Sequence, residues 1–179
     1  FGGIIGCNRK VDEATAHLMS KSGFMECVIA PGYDRKALSI LAEKKNFRVI
    51  EIDFKDFGKD TVDLKQVEGG FLLQEKDKKA ADFSEWKIVT KRKPTKVQMT
   101  SAAFGWKLIK HVRSNAMLLV KGTKTVGIGC GQTSRVESTV TAIKKAGQQA
   151  KGAILVSEAF IPKTDNVVLA AKSGITMIV

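Results

Sequence analysis

One stretch of the chain, from Lys110 to Glu137, combines residue types that can bind an anion. A predicted strand within it carries glycine at alternate positions, which are Gly127, Gly129 and Gly131. Ser134 precedes Glu137 by three residues, the spacing of a capping box, so Arg135 is expected in the first turn of a helix. The positive end of a helix dipole favours an anion, and arginine adds a bidentate donor for phosphate or carboxylate. The pattern predicts an anion site at Arg135, unless the glycines mark only a bulge or a close backbone approach.

The first third of the chain alternates between short apolar runs and amphipathic segments. The expected strands are residues 1–7, 25–30 and 47–52, and the expected helices between them are residues 11–22 and 34–45. This alternation is typical of an α/β fold with a mostly parallel sheet. We expect residues 1–53 to be the C-terminal part of a first α/β lobe.

Residues 54–94 are rich in Lys, Asp and Gly and are predicted to be a connecting segment, with strands at 70–74 and 86–90. Thr95 and Gln98 form a second capping-box pair, which predicts a long helix to about residue 111. A hairpin and a further helix–strand–helix–strand series are expected after it. We interpret residues 95–179 as a second, truncated α/β lobe.

Composition limits the cellular setting and the class of protein. No apolar run approaches the ~20 residues that a membrane span requires, and no signal-peptide pattern opens the chain. The three cysteines are far apart and form no CxxC, so neither a disulfide framework nor a zinc site is predicted. We expect a cytoplasmic protein with no membrane partner. Because both ends interrupt strand-like sequence, we also expect this chain to be part of a longer polypeptide.

The chain carries a net charge of +12, and much of the excess is local. Between Glu75 and Lys124 there are thirteen Lys or Arg and four Asp or Glu. Such a region can attract nucleic acid, an anionic nucleotide or a polyglutamylated folate, or it can be an ordinary solvated surface. Aromatic residues are few and no recognised nucleic-acid-binding signature is present, so a nucleic-acid partner is disfavoured.

Several long motifs resemble those of the AICAR transformylase family, the formyl-transferring part of bifunctional purine biosynthesis proteins. In chain order they are FGGIIGCNRKVDEATA, VIAPGYDRKALSIL, WKIVTKRKPT, KHVRSNA, TVGIGCGQTSRVES and SEAFIPKTDNVVLAAKSGIT. The resemblance covers essentially all 179 residues. It implies a cytidine deaminase-like three-layer α/β/α sandwich, as part of a duplicated pair of lobes. The usual zinc signature of that fold is absent, so no metal is expected.

The resemblance also implies an activity. The family, phosphoribosylaminoimidazolecarboxamide formyltransferase, transfers a formyl group from the cosubstrate 10-formyltetrahydrofolate to the 5-amino group of AICAR ribotide in de novo purine biosynthesis. It implies a homodimer as well. The family's catalytic Lys-His motif lies upstream of the segment that matches FGGII, so we expect this chain to lack that motif and to be inactive alone.

The resemblance assigns roles to seven residues. The expected ribotide contacts are Gly2, Glu26, Asn115 and Arg135, and the expected folate contacts are Val136, Phe160 and Asp165. Asn115 is also the expected catalytic residue, because a side-chain amide can donate a hydrogen bond to a developing oxyanion. An aromatic ring can pack on a pterin, and a carboxylate can accept hydrogen bonds from its N–H groups.

The motif SEAFIPKTD departs from the family pattern at four positions. Glu158 replaces the usual Asp, Ile161 and Lys163 replace aromatic residues, and Thr164 replaces a common basic residue. These changes predict an altered apolar wall for the folate. They keep open a second hypothesis, in which the chain is a drifted, non-catalytic nucleotide- or nucleic-acid-binding paralog.

Overall fold

The computed structural model of the chain describes residues 1–56, 58, 61–79 and 81–179. They belong to two structural units, Phe1–Lys78 and Lys79–Val179, which we call the first and second units. The boundary falls inside the predicted connecting segment 54–94, so part of that segment belongs to each unit. Among the described residues, no helix is long and apolar enough to cross a membrane.

The first unit begins with the predicted alternation of strands and helices. Its elements are β1 (Gly3–Gly6), α1 (Glu13–Lys21), β2 (Met25–Ala30), α2 (Arg35–Ala42) and β3 (Arg48–Glu51). The three strands are parallel, in the order β1-β2-β3. The predicted α/β class and parallel sheet are therefore confirmed for this part of the chain.

Helices α1 and α2 share one core with a single face of this sheet. The core includes Ala16, Val28, Ala37 and Leu41, each at most 1% exposed. On the other face of the sheet Ile4 and Ile50 are 75% and 43% exposed. The first unit therefore has two layers.

An antiparallel hairpin, β4 (Val62–Val67) and β5 (Gly70–Glu75), follows β3. The sequence predicts β5 but not β4, because the charges at Asp63 and Lys65 make that segment resemble a linker. Every residue of β4 is exposed, which explains why its pattern carries no burial signal.

The predicted strand at 86–90 is wrong. The region has a short 3₁₀ turn at Phe83–Glu85, and the residues after it are irregular. The Trp86 ring packs edge-on against Phe83 and Trp106, with centroid distances of 5.0 and 5.7 Å. Of the apolar residues that suggested a strand, Trp86 packs in this aromatic cluster, whereas Ile88 and Val89 are 50% and 92% exposed.

The second unit contains the remaining helices and strands. They are α3 (Lys96–Ile109), β6 (Met117–Lys121), β7 (Lys124–Gly129), α4 (Arg135–Ala146), β8 (Ile154–Ser157), α5 (Asp165–Lys172) and β9 (Met177–Ile178). The sheet order is β7-β6-β8-β9, with β6 antiparallel to both neighbours and β9 parallel to β8. Unlike the first sheet, this one is mixed, because β6 and β7 form a hairpin.

Helices cover both faces of this second sheet. Leu118, Val120, Ile154 and Val156 pack with the α3 side, and Met117, Leu119 and Leu155 pack with α4 and α5. Alternate residues of a strand point to opposite faces, which explains this division. The unit is thus a three-layer α/β/α arrangement, whereas its cytidine deaminase-like identity and the duplication of lobes stay predictions.

Two local features of this unit, the start of α3 and the glycines of β7, were predicted from the sequence. The Thr95–Gln98 capping box is present in both directions. Gly127 and Gly129 lie against α4: a Cβ at Gly129 would overlap the carbonyl oxygen of Ser138, and one at Gly127 would overlap that of Ala142. The alternative interpretation of these two glycines, a close backbone approach, is therefore confirmed.

Replacing Gly129 with alanine is expected to destabilise the second unit by about 3 kcal/mol, the upper end of the usual overpacking cost, because the added methyl meets a main-chain carbonyl that cannot rotate away. Gly70→Ala is the control: its added Cβ would have no atom within 4 Å. Its effect should stay below about 1 kcal/mol. Urea unfolding followed by circular dichroism measures both, and equal midpoints would contradict the close contact.

Candidate functional site

Three loop segments meet at one end of the second sheet. Strand β6 starts where β7 and β8 end, because Met117 pairs with Gly129 on one side and with Ser157 on the other. The segment before β6, the loop from β7 to α4 and the loop after β8 are therefore neighbours. Four predicted site residues, Asn115, Arg135, Val136 and Phe160, belong to these segments or to the helix start that follows one of them.

Asn115 is held by two hydrogen bonds, one from its side-chain amide and one to its backbone carbonyl oxygen. Its amide Nδ2 donates to the carbonyl oxygen of Gln132 at 3.0 Å, and its own carbonyl oxygen accepts from the Ser138 hydroxyl at 2.6 Å. It is not a helix cap, since α3 ends at Ile109 and is capped by Lys110. The peptide bond between Ser114 and Asn115 is cis. Among the contacts of the described residues, the amide uses one N–H, which leaves the second N–H and Oδ1 for a ligand.

Arg135 already holds an anion, and that anion is the carboxylate of Glu158. Its Nη1 lies 2.6 Å from Glu158 Oε1, and its Nε donates to the carbonyl oxygen of Phe160 at 3.0 Å. The Arg135 side chain is 12% exposed. Guanidinium has five N–H donors, and the contacts within the described residues use two, so both N–H groups of Nη2 and one of Nη1 remain for a second anion.

The start of α4 differs from the predicted capping box. The Ser134 hydroxyl accepts from the Glu137 backbone N–H at 3.3 Å, as predicted. The Glu137 carboxylate, however, accepts from the Thr133 hydroxyl at 3.0 Å instead of from the Ser134 backbone N–H. The Gly131 N–H donates to the carbonyl oxygen of Ser114 at 3.2 Å, so this backbone donor supports the loop.

Glu158 is the residue that the sequence interpretation undervalued, because it treated Glu158 only as a departure from a motif. Its Oε1 accepts from Arg135, from the Ser114 hydroxyl at 2.7 Å and from the Ala116 backbone N–H at 3.4 Å. The Arg135 hydrogen bond, followed by that of Ser114, lowers the pKa of the Glu158 carboxyl below its ordinary value of 4.5. An acidic residue directly after a buried apolar strand was the available signal.

The predicted folate residues differ in their exposure. The Phe160 side chain is 79% exposed, and Val136 is half-buried beside Arg135. Asp165 begins α5, and its Oδ1 accepts from the backbone N–H and the Nδ2 of Asn166 at 2.7 and 3.3 Å. Asn166 is 2% exposed, and its Oδ1 lies 2.6 Å from the Thr139 hydroxyl on α4. This buried amide therefore connects Asp165 to the helix that carries Arg135.

The two positions of the predicted folate wall, Ile161 and Lys163, lie in different surroundings. Ile161 packs against the core formed by α4, α5 and the sheet, so its side chain contributes to packing. Lys163 is exposed. Of the two positions predicted to have lost an aromatic wall, only Lys163 presents its side chain to solvent.

In the first unit, Gly2 and Glu26 lie together. The Gly2 backbone N–H donates to Glu26 Oε1 at 2.5 Å, and Glu26 Oε2 is 4.0 Å from Arg48 Nη1. A Cβ at Gly2 would be 2.7 Å from the Phe24 ring and 2.8 Å from Glu26, so a larger residue would displace one of them.

An apolar groove of about 950 Å³ lies elsewhere in the second unit. It is lined by the segment after Phe83, by α3 and α5 and by β9, and Trp86, Met99, Trp106 and Met177 contribute to its walls. None of the predicted site residues lines this groove.

Possible metal ligands and the two histidines give no further candidate site among the described residues. Within the described residues, no three His, Cys, Asp or Glu side chains are arranged to hold a metal ion. His17 and His111 are both exposed, so neither is held by burial in a defined position.

The Glu158 carboxylate is expected to make the stability of the chain depend on pH. Because its pKa is lowered on folding, its stabilisation is complete above the ordinary value of 4.5 and is lost as the pH falls through the lowered pKa. Glu158→Gln should cost roughly 1–3 kcal/mol at neutral pH, the value of a hydrogen bond to a charged group, and progressively less below 4.5. Urea midpoints over this pH range test this. Glu137→Gln is the matched control, because it removes an exposed carboxylate that is bonded to a hydroxyl. If the urea midpoints of wild type and Glu158→Gln depend on pH in the same way, the expectation is contradicted.

Comparison with known proteins identifies the family. The family described as AICARFT/IMPCHase bienzyme matches residues 1–145. Over 179 residues and the whole of this chain, the bifunctional purine biosynthesis proteins PurH of Oceanobacillus iheyensis, Nostoc sp. PCC 7120 and Thermoanaerobacter sp. X514 are 44%, 46% and 48% identical to it. The chain spans 35% of the length of each of these relatives. As the sequence motifs predict, the chain belongs to the AICARFT/IMPCHase bienzyme family.

Proposed function

We propose that this chain supplies ligand-binding residues for formyl transfer from 10-formyltetrahydrofolate to the 5-amino group of AICAR ribotide, a step of purine biosynthesis. The amino nitrogen forms a bond to the formyl carbon, and the bond between that carbon and the folate N10 breaks. The amino group loses a proton and N10 gains one. The observation that carries the proposal is the meeting of Asn115, Arg135 and Phe160 at one end of the second sheet.

Asn115 is assigned to the reacting formyl group. When the amine attacks, the formyl oxygen becomes an oxyanion that needs a hydrogen-bond donor. The Asn115 amide is fixed by its bond to Gln132 and keeps a second N–H for this purpose. A donor that is already positioned stabilises the transition state without further ordering.

Arg135 is assigned to the ribotide. Its contacts with Glu158 and Phe160 fix the plane of the guanidinium, and among the described residues they leave both N–H groups of Nη2 and one of Nη1 to donate to anionic or carbonyl oxygens. Bidentate geometry makes arginine well suited to such oxygens.

The folate is assigned to Val136, Phe160 and Asp165. Because exposed apolar surface is unfavourable in water, a phenylalanine that is 79% exposed gains free energy when a flat pterin covers its ring. The Asp165 carboxylate has Oδ1 occupied by Asn166, which leaves Oδ2 to accept from a pterin N–H. Val136 supplies an apolar neighbour beside Arg135.

In the first unit the proposal assigns Gly2 and Glu26 to polar groups of the ribotide. Glu26 already accepts from the Gly2 N–H, so a ligand amino or hydroxyl group would share this carboxylate. The proposal gives no described residue the role of proton acceptor, because both histidines are exposed and lack the family's motif. Homodimerisation and a cytoplasmic setting belong to the same proposal.

Two other functions are less well supported. The family name includes a second activity, and a protein that closed the purine ring would act without folate. A nucleic-acid-binding paralog would depend on the basic residues between Glu75 and Lys124. Exposed Phe160 bonded through its carbonyl to Arg135, and exposed Asp165 linked to α4 through Asn166, favour a folate-dependent reaction. Measuring tetrahydrofolate release and ring closure separately, in the protein as its source organism makes it, decides between these functions.

Asn115→Ala should lower kcat for tetrahydrofolate release about 10²–10³-fold, the usual effect of removing an oxyanion donor. The kcat of Asn115→Asp should fall as far, because a carboxylate has the size of the amide but cannot donate a hydrogen bond. Gln149→Ala, which removes an exposed amide from the same unit, is the control and should retain wild-type kcat. If Asn115→Asp keeps the wild-type rate, Asn115 does not donate to the reacting oxygen.

Phe160→Ala should raise the folate KM about tenfold, which corresponds to the ~1.4 kcal/mol expected for one aromatic stacking contact. The free energy of unfolding should change little, because the side chain is 79% exposed. Phe71→Ala removes a similarly exposed ring, at 64%, from the first unit and should leave the folate KM unchanged. Equal effects of the two substitutions on the folate KM would remove Phe160 from the folate site.

A further inference from the structure

We propose that Glu158 is a positioning residue, which uses one carboxylate oxygen to hold Arg135 and the Ser114–Ala116 segment in a fixed relation to each other. This inference rests on the proposed function, since it concerns the arrangement of the Asn115 amide and the Arg135 guanidinium for one ligand.

The argument begins with the number of donors that converge on Glu158 Oε1. The Arg135 Nη1, the Ser114 hydroxyl and the Ala116 backbone N–H lie 2.6, 2.7 and 3.4 Å from this single oxygen. They come from the start of α4 and from the segment before β6. Because all three share one acceptor atom, neither segment can move relative to the other without losing a charge-assisted hydrogen bond.

The backbone of Glu158 limits the same movement. Its N–H donates to the Ala116 carbonyl oxygen at 3.4 Å, while its side chain accepts from the Ala116 N–H. This two-way contact extends the β6–β8 pairing beyond its last partners, Met117 and Ser157. Asn115 lies between Ser114 and Ala116, so both of its chain neighbours are bound to Glu158.

Arg135 is fixed by the same loop at a second point. Its Nε donates to the carbonyl oxygen of Phe160, two residues after Glu158. Two directional contacts from one loop determine the plane of the guanidinium. Charge neutralisation alone would need only the ion pair, whereas this geometry also controls where the remaining Nη2 group lies.

Neutralising Arg135 and positioning Arg135 are two different roles for Glu158, and they predict opposite effects of Glu158→Gln on the binding of an anionic ligand. If Glu158 only neutralised Arg135, Glu158→Gln would free the guanidinium and tighten binding of an anion. If Glu158 positions Arg135 and Asn115, the same substitution should weaken binding of a ligand that needs both. Glu158→Asp keeps the carboxylate and is the conservative variant.

The test measures AICAR ribotide affinity by calorimetry in the protein as its source organism makes it. Glu158→Gln should raise the ribotide Kd at least tenfold, Glu158→Asp should stay within about threefold of wild type, and Glu137→Gln should match wild type. A Kd for Glu158→Gln that is unchanged or lower than that of wild type would overturn the positioning role.

A second readout does not depend on the ligand. The side-chain NMR signals of Arg135 Nε–H and Asn115 Nδ2–H₂ are assigned by their loss in Arg135→Lys and Asn115→Ala. Both signals should shift in Glu158→Gln, the Asn115 signal should shift in Ser114→Ala, and neither should shift in Glu137→Gln. If wild-type protein does not bind the ribotide, the proposed function fails, and the NMR result alone decides the inference. If only the Arg135 signal shifts in Glu158→Gln and the Asn115 signal does not, the positioning role of Glu158 is overturned.

Discussion

The ion pair between Arg135 and Glu158 is the interaction on which the arrangement of the predicted site depends. The side chains are 12% and 23% exposed, so the pair is shielded from water more than an ordinary surface pair. Breaking a shielded pair by removing one partner leaves a charge without compensation, which costs more than the pair itself contributes. The pair also joins segments that are far apart in sequence. Its main effect is therefore on geometry: it determines how α4 and the loops at the end of the second sheet face one another.

The mixed strand order of the second unit makes this pair possible. In the three-stranded sheet of the first unit, β1, β2 and β3 all run the same way, and the chain returns through helices. In the second unit β6 is antiparallel to both β7 and β8, so the start of β6 lies at the same end of the sheet as the ends of β7 and β8. Asn115, Arg135 and Phe160 reach that end from three separate segments of the chain. In a fully parallel sheet, the start of β6 would lie at the opposite end of the sheet from the ends of its neighbours.

Local patterns predicted the elements well where one short-range rule was sufficient. Thr95 and Gln98 identified the start of α3, and the glycine and proline punctuation located β2 and α2. The apolar run from Trp86 was misassigned, because apolar character does not distinguish a strand from a segment that packs by its aromatic ring against Trp106. The role of Glu158 was missed for a different reason: its place after an apolar strand is visible in the sequence, but its donors Ser114 and Arg135 are brought to one atom only by the sheet register. Residues of this kind carry little signal in a single sequence.

The contact of α4 with β7 has a consequence for how this region can change. At Gly127 and Gly129 the nearest atoms of the helix are main-chain carbonyl groups, those of Ala142 and Ser138. Most helix–sheet contacts can adjust over successive substitutions, because interlocking side chains exchange volume with one another. At these two glycines a main-chain carbonyl takes the place of a side chain, so a larger residue on the strand would have to push the helix itself away. Because Arg135 is the first residue of that helix, the two glycines also limit how far its backbone can shift.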